Sequence, residues 1–168
     1  MPKEKIVVLM GSPRDLPFAS RVQDFLKEEK IPVTCVYNVA SAHRTPQKLL
    51  KDLKEYEESG NNLIYITVAG LSDALSGVVA GYTKYPVIAC PPDSKKYGNT
   101  KVFSSTAMPR GIPVAYVAKP ENAALAAVRI LALANPALNE SLNRFKKKME
   151  KSVYEGAEEV KKAFQYKK

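Results

Sequence analysis

The chain has 168 residues, of which 45% are hydrophobic and 26% charged, and this balance is typical of one soluble globular domain. The longest apolar run, residues 123–134, is too short to span a bilayer, and the N-terminal sequence lacks the apolar core of a signal peptide. We therefore expect a cytoplasmic protein with no membrane partner. The formal net charge is +9, and residues 141–168 contribute +5 of it.

The basic C-terminal tail has two interpretations. A run of charged residues usually forms a solvent-exposed helix face. No recognisable nucleic-acid-binding module accompanies the basic tail, so we expect no nucleic-acid partner. The alternative is a non-catalytic nucleotide-binding module whose basic tail binds RNA.

Metal binding is not expected. The chain has one histidine, and its two cysteines, Cys35 and Cys90, are distant in sequence and lack zinc-site spacing. Both lie in apolar, strand-like runs, which favours burial as small hydrophobic side chains.

The predicted elements alternate between strands and helices along the chain. A strand at 6–10 precedes a helix at 16–29, and a strand at 33–39 precedes a helix at 46–59. A third strand at 63–68 leads through the loop at 70–77 to a helix ending near 82. Strands at 86–90 and 113–117 flank a short helix at 100–107. Helices at 121–134 and 138–164 follow.

This alternation predicts a three-layer α/β fold with a doubly wound parallel sheet of the flavodoxin/Rossmann-like type. We expect one domain over residues 1–168, with 138–168 as a basic helical extension. The helix at 121–134 is expected to be buried nearly all round. From the helix at 46–59 we expect four side chains to face inward: Leu49, Leu50, Leu53 and Tyr56. The last helix has few core partners left in one chain, so we expect it to pack against another subunit.

Polar loops follow the first four strands, and parallel strands place such loops at one edge of the sheet. They offer Ser12 and Asp15, then Ser41, His43 and Arg44, then the loop 70–77, and finally residues 91–94. Serine hydroxyls and backbone N–H groups at helix starts, with an arginine fork, suit a phosphate. A carboxylate suits sugar hydroxyls. The pattern predicts a site for a sugar phosphate or nucleotide.

Each candidate also has a purely structural interpretation. Ser12 and Asp15 are good helix caps, Ser41 and Thr45 can cap a turn and the next helix, and Arg44 can be a surface ion pair. A lone histidine is usually an ordinary loop residue. If it is functional, His43 suits general acid–base chemistry, because imidazole titrates near neutral pH. The reaction itself cannot be read from spacing.

Six motifs in order resemble the catalytic subunit of the phosphoribosylaminoimidazole carboxylase family. They are GSxxD at 11–15, SAHRTP at 41–46, AG at 69–70, PVI at 86–88, MPxGIP at 108–113 and NAAL at 122–125. The resemblance implies an octameric enzyme of purine biosynthesis that makes 4-carboxy-5-aminoimidazole ribonucleotide (CAIR). It implies no metal or organic cofactor.

The family has two classes, and the loop after the third strand distinguishes them. Class I, the mutase, moves a carboxylate within 5-(carboxyamino)imidazole ribonucleotide, and its loop typically carries a second histidine. Class II carboxylates 5-aminoimidazole ribonucleotide (AIR) directly with CO2, with a typical loop GRSNALSG. Residues 70–77 read GLSDALSG, with Ala74 at the histidine position, so the chain looks like class II. Leu71 and Asp73 depart from that loop, and Arg44 resembles class I.

The resemblance also implies roles for the candidate residues. Ser12, Ser41 and Arg44 hold the 5′-phosphate, and Asp15 holds the ribose. Gly70 and Ser72 belong to the loop that confines CO2, and His43 moves the proton at the ring carbon. The mutase is the nearest alternative activity.

Overall fold

The computed structural model describes residues 4–92 and 100–165 of the chain. Its strands are β1 (Glu4–Met10), β2 (Thr34–Val39), β3 (Asn62–Val68), β4 (Val87–Ala89) and β5 (Ala115–Tyr116). They form one sheet in the order β2-β1-β3-β4-β5, and every neighbouring pair is parallel. This is the doubly wound, flavodoxin-like order, so the predicted fold class is confirmed.

Within the described residues, seven α-helices connect and follow the strands. A short 3-10 turn (Pro13–Asp15) precedes the first of them. The helices are α1 (Leu16–Ala19), α2 (Arg21–Glu28), α3 (Pro46–Glu58), α4 (Ala74–Tyr82), α5 (Thr100–Thr106), α6 (Pro120–Ala134) and α7 (Leu138–Gln165).

Strand β1 lies between β2 and β3 in the sheet and is buried on both faces. Ile6, Val8 and Met10 pack into a cluster with side chains of α2 and α6. Val7 and Leu9 point the other way, into a cluster with side chains of α3 and α4. The period-two alternation of a strand thus divides a continuous apolar run between two helix layers.

The helix predicted at 16–29 is divided into two, and Tyr37 of β2 explains the division. Its hydroxyl accepts the Gln23 N–H at 3.1 Å and donates to the Ala19 carbonyl at 3.3 Å. Those are the two groups that an unbroken α-helix would pair with each other. A side chain inserted between them interrupts the helical ladder, and the prediction of one continuous helix was wrong for this reason.

Two burial predictions were also wrong. In α6, Leu133 is 86% exposed, so that helix is buried on the sheet side only. In α3, Leu50 is 41% exposed, whereas Leu49 and Leu53 are fully buried. A leucine in a helix does not by itself show which side of the helix is buried. In these helices the leucines extend around more of the helix surface than the stripe that contacts the sheet.

Only the first part of α7 packs on the body of the protein. The Phe145 ring meets Phe25 edge-on with centroids 5.4 Å apart. Arg144 donates to the carbonyls of Glu29 and Lys30, and Lys148 pairs with Glu29 at 2.6 Å. Beyond this point, the side chains of residues 149–155 and 157–164 are exposed. No helix within the described ranges is long and apolar enough to cross a membrane.

The two cysteines differ in burial but share a raised pKa. Cys90 is completely buried and Cys35 half-buried, and both are free thiols. Burial raises the pKa of each thiol to about 12. The predicted burial is confirmed for Cys90.

In the Cys90→Ala variant, the free energy of unfolding is expected to fall less steeply with rising alkaline pH than in the wild type. An unfolded thiol ionises near pH 9, whereas the folded thiol stays protonated to about pH 12. The buried thiol is therefore fully compatible with folding below pH 9 and costs stability as the pH rises above it. Denaturant titrations under reducing conditions between pH 8.5 and 10.5 should give a wild-type slope steeper by up to about 1.4 kcal/mol per pH unit. Equal slopes for the two proteins would contradict this account.

Candidate functional site

A cavity of about 830 Å³ lies at the carboxyl ends of β1, β2 and β3. Three loops line it, one after each of these strands. The order of the sheet reverses between β1 and β3, and open α/β sheets bind ligands at such a point. The lining residues are Gly11, Ser12, Pro13, Arg14, Asp15, Ser41, Ala42, His43, Arg44, Ala69, Gly70, Leu71, Ser72 and Leu75.

The loop after β1 is shaped by a reciprocal cap. The Ser12 hydroxyl accepts the Arg14 N–H, and the Asp15 carboxylate accepts the Ser12 N–H at 3.1 Å. The structural interpretation of these two residues is therefore correct, and both also line the cavity. Because the Ser12 hydroxyl is an acceptor in the cap, its own proton can be donated to a ligand oxygen.

The loop after β2 brings Ser41, His43 and Arg44 to the same cavity. The Ser41 hydroxyl accepts the Arg44 N–H at 3.2 Å, which again leaves its proton for a ligand. The Arg44 guanidinium reaches across to the loop after β1 and donates to the Gly11 carbonyl at 3.1 Å. One N–H is used in that bond, and the fork has four more. The His43 ring is exposed at the mouth of the cavity.

Gly70 packs close to the carboxylate of Asp15. A Cβ atom on Gly70 would lie 3.2 Å from Asp15 Oδ1 and 3.8 Å from Pro92 Cγ. A side chain here would have to displace the carboxylate. The glycine is therefore explained by close packing of the two loops rather than by backbone conformation.

Asp15 is 9% exposed, and its surroundings affect the pKa of its carboxyl in opposite directions. Burial raises the pKa of Asp15 above its ordinary value, because it penalises the charged form. The Ser12 N–H and the positive charges of Lys101 and Arg44 lower the pKa, but by less in sum. A carboxylate in this setting has much to gain from hydroxyl donors on a ligand.

Beneath the third loop lies a buried hydrogen-bond network centred on Asp73. This residue caps α4, and its carboxylate accepts the Ser76 N–H at 3.0 Å. It also accepts the hydroxyls of Ser76 and Ser105, at 2.6 and 2.7 Å. Asp73 therefore anchors the loop that carries Leu71 and Ser72, both of which are exposed at the cavity.

Comparison with known proteins decides the family. The family model for AIR carboxylase matches residues 5–152. The chain belongs to the AIR carboxylase family. It is 40% identical over 156 residues to a phosphoribosylaminoimidazole carboxylase of Archaeoglobus fulgidus, covering 93% of this chain and 84% of that one. It is 42% identical over 161 residues to an N5-carboxyaminoimidazole ribonucleotide mutase of Methanocaldococcus jannaschii, covering 95% and 99%.

A solved structure agrees with these relatives. The crystal structure of Treponema denticola PurE matches with a TM-score of 0.90 at 35% identity, covering 95% of this chain and 99% of that one. The predicted membership of the AIR carboxylase family is confirmed, and with it the prediction of an enzyme. The alternative of a non-catalytic module is not favoured, because these relatives carry the names of enzymes.

All seven predicted site residues of this AIR carboxylase family member line one cavity: Ser12, Asp15, Ser41, His43, Arg44, Gly70 and Ser72. Their roles remain predictions. Of the fourth predicted loop, Pro91 and Pro92 are described, whereas residues 93 and 94 lie outside the described residues.

Two charged residues near the cavity were missed from the sequence. Arg14 lines the cavity, and it lies between two residues of the cap that were recognised. Lys101 lies in α5, far from the site in sequence, and no motif points to it. Within residues 4–92 and 100–165, no three His, Cys, Asp or Glu side chains form a group that could hold a metal ion.

Proposed function

We propose that this AIR carboxylase family member adds CO2 directly to AIR, reversibly forming CAIR, in the cytoplasm. The observation that carries the choice of reaction is the single histidine of the chain. It lies after β2, and the loop after β3 has Ala74 where the mutase class has a second histidine. One imidazole therefore serves one proton transfer, as direct carboxylation requires.

The cavity offers a natural arrangement for a ribonucleotide. The hydroxyls of Ser12 and Ser41 and the guanidinium of Arg44 can donate to the 5′-phosphate, and the bond from Arg44 to Gly11 orients the fork. Asp15 can accept two hydrogen bonds from the ribose hydroxyls. These four side chains come from the loops after β1 and β2, so the phosphate and sugar can bridge the two loops.

The proposed reaction then forms one carbon–carbon bond and removes one proton. The electron-rich ring carbon of AIR attacks the carbon of CO2, and one C=O electron pair moves onto oxygen to give the carboxylate. The ring carbon is now tetrahedral and still carries its hydrogen. His43 accepts that proton, the C–H electron pair restores the aromatic ring, and the imidazolium releases the proton to solvent. In reverse, His43 protonates the ring carbon and CO2 leaves.

The loop after β3 is proposed to confine CO2. Ser72 can donate to a CO2 oxygen as negative charge develops there. Leu71 places an apolar side chain, 63% exposed, where class II relatives have arginine. An apolar wall suits neutral CO2, and it offers the product carboxylate no counter-ion from this position.

The decisive experiment offers the purified protein two substrates in separate assays. AIR with CO2 and bicarbonate is expected to give CAIR, whereas 5-(carboxyamino)imidazole ribonucleotide is expected to give none beyond its spontaneous breakdown to AIR. Carbonic anhydrase in the first assay checks that CO2 is the form consumed. Formation of CAIR from the carboxyamino compound alone would establish the mutase instead, the activity named for the relative at 42% identity.

We also propose that the chain forms a homo-oligomer, an octamer, with α7 packed on a neighbouring subunit. Four apolar side chains share one face of the exposed part of α7 at helical spacing: Met149, Val153, Val160 and Phe164. Each is at least 50% exposed within one chain. A second copy of the same helix region or of the body can cover this stripe.

Val153→Glu with Val160→Glu is expected to reduce the oligomer to smaller species. Two buried carboxylates without partners are costly at an interface. Light scattering after size-exclusion chromatography measures the mass. The matched control is Lys151→Gln with Lys162→Gln on the opposite face, which also lowers the net charge by two and should keep the oligomer intact. Unchanged mass in the double variant would remove α7 from the interface.

A further inference from the structure

A buried lysine lies behind the proposed ribose site, and the chemistry above does not use it. Lys101 is only 6% exposed, although lysine is among the side chains least often buried. A buried ammonium needs hydrogen-bond acceptors and negative charge around it. Its surroundings therefore indicate what the charge does.

Lys101 is held against the loop that backs the site. Its ammonium donates to the Pro92 carbonyl at 2.5 Å. The Pro92 ring in turn lies 3.8 Å from the position of a Cβ on Gly70, and Asp15 Oδ1 lies 3.2 Å from that position. Lys101, Pro92, Gly70 and Asp15 are thus consecutive neighbours, from the interior outward to the cavity.

Helix α5 is also tied to the loop after β3. The Ser104 hydroxyl donates to the Lys101 carbonyl at 2.9 Å and accepts the Asp73 N–H at 3.1 Å. Ser105 donates to the Asp73 carboxylate. The position of Lys101 along α5 is therefore fixed by the same hydroxyl groups that anchor the proposed CO2 loop.

Two cations act on Asp15 from different directions. Arg44 approaches from the loop after β2 and Lys101 from α5, and the positive charge of each lowers the pKa of Asp15. Arg14 and His43 line the same cavity. Arg44 is exposed and, under the proposed function, is shared with the substrate phosphate. Lys101 is buried, so salt and solvent screen its charge much less.

We propose that Lys101 is a positioning residue that holds Asp15 as a charged acceptor for the ribose hydroxyls. The inference rests on the proposed function, because it assigns the ribose to Asp15. A carboxylate can accept from both hydroxyls of a ribose at once, whereas a carboxylic acid uses one oxygen as a donor. Lys101 favours the charged carboxylate of Asp15, whereas burial favours the neutral carboxylic acid.

The test compares Lys101→Met, Lys101→Gln and Lys101→Arg across pH 5.5–8.5. Met removes the charge and the donor, Gln removes the charge but keeps a donor for the Pro92 carbonyl, and Arg keeps both. We expect Met and Gln to raise KM for AIR about tenfold at the acid end, with kcat within about twofold. The acid limb of kcat/KM should move to higher pH by about one unit. Arg should stay close to wild type.

A double-mutant cycle separates this role from simple support of the fold. In an Asp15→Asn background, Lys101→Gln should change KM by less than about twofold, because no charge remains to be held. Additive effects, or an unshifted acid limb in both Met and Gln variants, would overturn the proposal. Circular dichroism and thermal unfolding identify a variant that fails to fold, and the other one then carries the test.

Failure of the proposed function would look different. The wild-type protein would then form no CAIR from either substrate. In that case, calorimetric binding of ribose 5-phosphate as the probe replaces KM in the same comparison. The same dependence on pH and on Asp15 is expected, and equal affinity of wild type and Lys101→Gln at every pH would reject the role of Lys101.

Discussion

His43→Asn is expected to lower kcat for CAIR formation about 10³-fold, with KM for AIR within about threefold of wild type. Asparagine is close in size to imidazole and keeps polar contacts, but it cannot accept the proton from the ring carbon. His43 is the only histidine in the chain, so no second imidazole can take its place. The ring makes no contribution to the proposed phosphate and ribose contacts, which is why binding should survive.

The experiment measures both directions, because one proton serves both. Carboxylation of AIR and decarboxylation of CAIR should fall by the same factor, as microscopic reversibility requires. Ser72→Ala is the matched comparison in the same cavity, and it should lower kcat about tenfold, since it removes one hydrogen-bond donor. Interconversion by His43→Asn at near wild-type rate would show that the proton leaves by another route.

Asp15→Asn is expected to impair binding and improve stability in one change. Loss of the charged acceptor should raise KM for AIR by about 10². Asparagine can still accept the Ser12 N–H, so the cap is retained. At pH 8 the melting temperature should rise by on the order of 2 °C, because the folded protein no longer buries a carboxylate.

The sign of the stability effect follows from the direction of the pKa shift. Burial raises the folded pKa of Asp15 above its ordinary value of 3.8. Below pH 3.8 both folded and unfolded carboxyls are protonated, and the variant should gain nothing. The gain should develop as the pH rises through the folded pKa and stay constant above it. Calorimetry at pH 3.5 and pH 8 checks this, and a variant less stable than wild type at pH 8 would contradict it.

Most of the fold could be predicted because its signals are local. Buried parallel strands are continuous apolar runs, and all five predicted strands are present, although β4 and β5 are shorter than expected. Strand β4 pairs with β3 at three positions only, and β5 pairs with β4 at two positions only. The break between α1 and α2 could not be predicted, since Tyr37 causes it from another strand.

The residues of the candidate site were predictable for a related reason. Loops that follow parallel strands share an edge of the sheet, so Ser12, Ser41 and Gly70 meet although they are distant in sequence. Lys101 could not be found in this way. Lys101 lies on a helix rather than at the end of a strand. Its proposed role depends on its burial, and the burial of a lysine in a polar segment cannot be recognised from the sequence. The closeness of Gly70 to Asp15 likewise depends on how two loops pack.

The hydroxyl of Tyr37 has a consequence for motion as well as for helix geometry. It joins the end of α1, which follows the Ser12 loop, to β2, which leads into the His43 loop. The bond fastens together the two loops that would hold the phosphate and move the proton. Ala19 lies four residues after Asp15 and Tyr37 lies four residues before Ser41, and both Asp15 and Ser41 line the cavity. Slow fluctuations that separate the two loops must first release this phenol. The amide of Gln23 also donates to the Ser20 carbonyl at 2.9 Å, so its hydrogen exchange requires the local helix turn and the Tyr37 bond to open together.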